Sequence, residues 1–199
     1  LFPYTTLFRS LQKAMDNSGA IAGPLFAFAM LSAFPENYRL IFLLAGIPAI
    51  LAIFVLVFGI KEARKKKEEL FTKFQFREFP SKYYFFLTII FVFTLGNSTD
   101  ALLMVKANDV GVKVALIPLV YLVTSLVAVA VSIPVGAFAD RIGKEKILIA
   151  GFTIYAVVYF GFGITTSTGA IVALFALYGL YSAATDSIQK AYISDMIDE

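Results

Sequence analysis

A chain of 199 residues that is 59% hydrophobic and only 16% charged, with a mean hydropathy of +0.81, is more apolar than a water-soluble domain and reads as membrane-embedded. It contains no cysteine and no histidine. That removes disulfides, thiol nucleophiles, the commonest metal ligand and the commonest general base near neutral pH, and argues against an enzyme and against a metal site. The net charge of +3 comes from basic residues crowded into a few short segments, a pattern that concerns membrane topology and not nucleic acid.

In chain order, residues 1–10 resemble a translated sequencing adapter and are set aside from the fold as an expected artefact. Leu11 to Ser18 opens the first predicted span, at about 14–34, because Asn17 to Pro35 carries no charge and is long enough to cross the hydrocarbon core. Gly19 and Gly23 are four apart on one helical face, a spacing that lets a neighbouring backbone come close, and Pro24 removes a helix hydrogen bond there. Asp16 and Asn17 sit near the start of this span. After the polar turn Glu36-Asn37-Tyr38-Arg39, a second uncharged run predicts a span over 40–60.

Residues 61–82 hold the largest cluster of bases in the chain and read as a solvated loop. Its amphipathic part, Leu70 to Arg77, has the pattern of a segment lying along headgroups. A third span is predicted at 83–105, with Tyr83 and Tyr84 at an interfacial belt. Within it Asn97 and Asp100 share a face. A carboxylate at a helix centre costs about 2.5–3.5 kcal/mol unless paired or solvated, so Asp100 is either functional or placed near the outer headgroups beside Lys106. The fourth span is predicted at 114–138, the fifth at 147–164 and the sixth at 170–188. On the last of these Gly179, Ala183, Asp186 and Lys190 form a stripe, and Asp186 and Lys190 are spaced to pair. Placing 61–82, 139–146 and the carboxy-terminal end on one side gathers most bases there, which marks that side as cytoplasmic.

The charged turn between the fourth and fifth spans carries a family resemblance. Gly136, Asp140, Arg141 and Gly143, followed by Lys144 and Lys146, resemble the signature loop of the major facilitator superfamily. Phe138 stands where leucine is usual and Glu145 where a second base is usual. Gly19, Gly23 and Pro24 resemble the G-x-x-x-G-P motif in the fifth span of that superfamily's proton-coupled antiporters, although Ala27-Phe28 stands where its glycine pair would be. The resemblance implies an all-α membrane protein, a partial superfamily fold with six transmembrane helices that match spans five to ten of twelve. Residues 11–60 would be the last two spans of the amino-terminal half, 61–82 the central cytoplasmic loop and 83–199 the first four spans of the other half.

The function so implied is secondary transport of a small solute by alternating access, proton-coupled and directed outward, in the inner membrane of the cell, with the fragment inactive alone. Uptake by symport and a non-transporting scaffold or sensor are the alternatives. The partners implied are the bilayer, a small-molecule substrate and protons, with no nucleic acid and no cofactor, and the full-length protein would be a monomer. The signature loop would act as a latch between access states. Asp16, Asn17, Asn97, Asp100, Asp186 and Lys190 are the coupling or gating candidates, with Asp16 expected to contact Lys190 in the outward-open state.

Overall fold

The structure, a computed structural model, describes residues 3–35, 37–59, 81–97, 100–186 and 188–198. Most of the basic loop expected at 61–82, including its amphipathic part, lies outside them. The described residues form eight α-helices: α1 (Pro3–Ala33), α2 (Tyr38–Gly59), α3 (Ser81–Gly96), α4 (Asp100–Asp109), α5 (Ile117–Ile142), α6 (Lys144–Ile164), α7 (Thr168–Thr185) and α8 (Ile188–Asp198). A 3₁₀ turn at Val114–Leu116 leads into α5.

Helix ends follow local chemistry. The side-chain oxygen of Asn37 accepts the Leu40 amide at 3.2 Å, capping the free donors at the start of α2. The charged turn between α5 and α6 is shorter than the sequence suggested: α5 runs through Asp140 and Arg141, and Gly143 alone separates the two helices. Gly143 has φ +101°, a conformation that glycine adopts without strain and other residues resist. At the other end of α6, the turn to α7 is Thr165 to Ser167.

Two expected spans are each described as two helices. The third gives α3, ending at Gly96, and α4, starting at Asp100; Asn97 between them is not helical, and glycine and asparagine are poor helix formers. The sixth gives α7 to Thr185 and α8 from Ile188. Asp186 keeps helical angles, with its amide bonded to the Ser182 carbonyl, and no ion pair joins Asp186 and Lys190 among the described residues. Among the described residues, five helical stretches are long and apolar enough to cross a membrane: 38–59, 81–109, 114–142, 144–164 and 168–196. At 31 residues, α1 is long enough, but it is not among the five, and Asp16, Asn17 and Pro24 make it a less apolar helix.

The core lies among α4, α5, α6 and α7. Ile171 and Phe175 of α7 and Val158 of α6 are fully buried, and Phe162 meets Phe175 edge to face at 5.1 Å, a favoured aromatic geometry. A second cluster joins Phe86, Ala139, Leu148 and Ile188 at the end where α5 meets α6. The closest packing is α5 against α7, and Gly179 permits it: a Cβ there would collide with the Thr124 carbonyl oxygen. Thr124 then donates its hydroxyl to the Phe175 carbonyl at 2.9 Å, tying the two helices. In contrast, α2 buries nothing and leaves Phe42 78% exposed, a surface suited to lipid and not to water.

Candidate functional site

The start of α4 carries a carboxylate that lies among the helices of the bundle. Asp100, the first residue of α4, accepts a hydrogen bond from the Tyr121 hydroxyl of α5 at 2.8 Å and one from the Tyr178 hydroxyl of α7 at 2.7 Å. A carboxylate among apolar helices needs such partners, since water is scarce there. The Gly96 carbonyl accepts the Tyr155 hydroxyl of α6 at 2.9 Å, and Asn97 Oδ1 is buried with no hydrogen-bond partner among the described residues. Around this point the rings of Phe93 and Tyr155 pack edge to face at 4.8 Å, and those of Tyr155 and Tyr159 stack at 4.1 Å. Lys106 pairs with Asp109 at 3.8 Å.

Beside this cluster lies an open cavity of about 240 Å³ with mixed polar and apolar walls. One wall is a face of α5, from Tyr121 through Ser125 to Ser132, roughly 16 Å of helix at 1.5 Å per residue. Lys13 and Asn17 of α1 form the second wall, and Ser182 and Asp186 of α7 with its cap form the third. The Asp186 carboxylate accepts the Ser182 hydroxyl at 2.6 Å, which fixes its direction. Tyr121 belongs to both features, its hydroxyl on Asp100 and its side chain in the cavity wall.

Other sequence candidates fall elsewhere. Asp16 and Lys190 are both exposed and form no ion pair with each other among the described residues; α1 rests on α5, not on α8. A Cβ at Gly19 or Gly23 would meet nothing within 4 Å, so no neighbour among the described residues packs against that face. Instead Gly23 and Pro24 border a second, apolar cavity shared with Pro118 and Tyr121. At the signature turn, Gly136 lies on α5, and Asp140, Arg141 and Lys146 are exposed. Lys144 reaches across to α8, donating to Asp195 at 2.6 Å and to the Ala191 carbonyl at 3.5 Å.

The sequence reading missed Lys13 and the tyrosines. One signal was available: Tyr121, Tyr155, Tyr178 and Tyr181 lie well inside uncharged runs and not at their ends, where an interfacial belt would put them.

A family model described as Major Facilitator Superfamily matches residues 8–199, nearly the whole of this bundle. The chain belongs to that superfamily. It is a multi-pass membrane protein of the superfamily's all-α architecture, and it is not an enzyme. The chain is also similar to an uncharacterized MFS-type transporter of Methanocaldococcus jannaschii, with 28% identity over 195 residues, covering 95% of this chain and 49% of that relative. It therefore spans about half the length of the curated superfamily protein it matches. No solved structure matches the chain.

Proposed function

We propose that the intact protein is a secondary transporter of small solutes that exports its substrate in exchange for protons by alternating access. The observation that carries this reading is the cavity of mixed polar and apolar lining between α1 and the α5–α7 pair, with Asp100 joined to its wall through Tyr121. In such folds solute sites lie between two halves that rock against each other. Here α1 and α2 would be the last two spans of the first half and α3 to α8 the first four of the second. Rocking then moves Lys13 and Asn17 relative to Asp186. Proton coupling needs a carboxylate whose surroundings differ between the two access states, and Asp100, held from two other helices, is the group assigned that role. Gly143 and Lys144 form the latch: the Lys144–Asp195 contact holds α8 to the start of α6 in one state and releases it in the other. The outward direction rests on Gly19, Gly23 and Pro24, the last two of which border the second cavity together with Tyr121. The protein would act as a monomer in the cell's inner membrane, with the turn at Gly143 facing the cytoplasm.

The test is reconstitution of the full-length protein in vesicles with an imposed pH gradient. Solute movement against its own gradient, driven outward by inward proton flow, is the expected result. In Asp100→Asn, gradient-driven movement is expected to disappear while solute exchange at equal pH persists. Coupled movement in Asp100→Asn at the unmodified rate would remove Asp100 from the mechanism, and movement of solute and protons in the same direction would make the protein an uptake symporter.

A further inference from the structure

The cavity carries two opposite charges that do not satisfy each other. Lys13 lines it from α1 and Asp186 from the end of α7, yet no ion pair joins them among the described residues, where the pairs are Lys106–Asp109 and Lys144–Asp195. Asp186 is oriented by Ser182, and Asn17 lies one turn from Lys13 on the same face of α1. Between them the wall is small and uncharged: Ala20, Ala128, Val129 and Ala183.

We propose that this cavity selects a small zwitterion, a solute of amino-acid type whose carboxylate meets Lys13 and whose ammonium meets Asp186. The inference rests on the transport reading for its biological sense, but it concerns binding alone. An anion placed here would be attracted by Lys13 and repelled by Asp186, and a cation the reverse. Only a solute with both charges gains from both groups, and charge complementarity of this kind sets specificity by penalising the wrong partner. Size points the same way. About 240 Å³ falls below the range of roughly 300–1,000 Å³ that suits drug-sized ligands, and the alanine-rich wall leaves room for a short side chain. The hydroxyls of Ser125 and Ser132 on α5 supply neutral partners along the cavity.

The experiment is equilibrium binding to purified full-length protein, read as thermal stabilisation. The probes are the neutral amino acids from alanine to leucine, their amides, which keep only the cation, and their deaminated acids, which keep only the anion. Stabilisation by at least one amino acid, and tenfold weaker or absent stabilisation by its matched amide and acid, is expected. Lys13→Gln and Asp186→Asn should each weaken amino-acid binding by roughly 10- to 100-fold, the range for a hydrogen bond to a charged group. Lys13→Gln should in addition raise the affinity of the amide relative to the amino acid, and Asp186→Asn that of the deaminated acid, gains that misfolding does not produce. No stabilisation by any amino acid, or equal binding of all three probe types, would overturn the proposal. Amino-acid binding without gradient-driven movement would leave it standing and sink the transport reading; coupled transport of a singly charged solute, indifferent to Lys13→Gln, would do the opposite.

Discussion

Gly179 shows how one residue sets the spacing of two spans. A Cβ at this position meets the Thr124 carbonyl oxygen, which belongs to the backbone of α5, and also lies 3.0 Å from Val127 Cβ. Backbone cannot swing aside as a side chain does, so Gly179→Ala must push α7 away from α5. That shift loosens the Thr124–Phe175 hydrogen bond and the Tyr178 bond to Asp100, which sits on the neighbouring residue. A loss of about 1–3 kcal/mol is expected from overpacking, outweighing the gain of up to about 1 kcal/mol that alanine brings to a helix. Gly163→Ala, where nothing lies within 4 Å, keeps the helix gain alone. Thermal unfolding of the full-length protein in detergent reads both, and equal melting temperatures for the two variants would refute the close-approach argument.

At the scale of the element, the fastening between α6 and α8 is the contact that most needs weighing. Lys144 is mostly covered but Asp195 is 57% exposed, so the pair is screened on one side. Exposed ion pairs contribute about 0.2–1 kcal/mol, and a cycle of Lys144→Gln, Asp195→Asn and the double variant is expected to give a coupling in that range; strict additivity would mean that the contact holds nothing. This element scale is also where sequence and structure part company. The uncharged runs and the glycine-bracketed turn were legible, because bilayer thickness and charge dictate them. The end of α3 at Gly96 was not, although Gly96-Asn97 is weak helix material. The tyrosines were invisible for another reason. Tyr121 and Tyr178 reach Asp100 from 21 and 78 residues away, and no local pattern records a partner that distant. Lys13 was passed over because its counterpart, Asp186, comes from the far end of the chain.

The whole molecule has two distinguishable ends. Lys82, Glu145, Tyr192 and Met196 line one cavity, so the start of α3, the start of α6 and the end of α8 lie together. The Lys144–Asp195 bond fixes the same grouping. Arg141, Lys144 and Lys146 belong to this end. At the opposite end are the α6–α7 turn, Thr165 to Ser167, the start of α2 and the start of α5, with Arg39, Lys106 and Lys113 as its bases. Basic residues near span ends are retained on the cytoplasmic side during insertion, so the Gly143 end should face the cytoplasm. Single cysteines test this in a cysteine-free full-length background. With a membrane-impermeant thiol reagent applied to intact cells, Thr166→Cys is expected to label and Glu145→Cys only after the membrane is opened. Both sites lie at the ends of α6, a helix of 21 residues, which at 1.5 Å per residue spans roughly 30 Å, about one hydrocarbon thickness. The two positions must therefore report opposite sides if α6 crosses the membrane. The reverse labelling would invert the orientation and, with it, the direction assigned to transport; labelling of both from outside would mean that α6 does not cross.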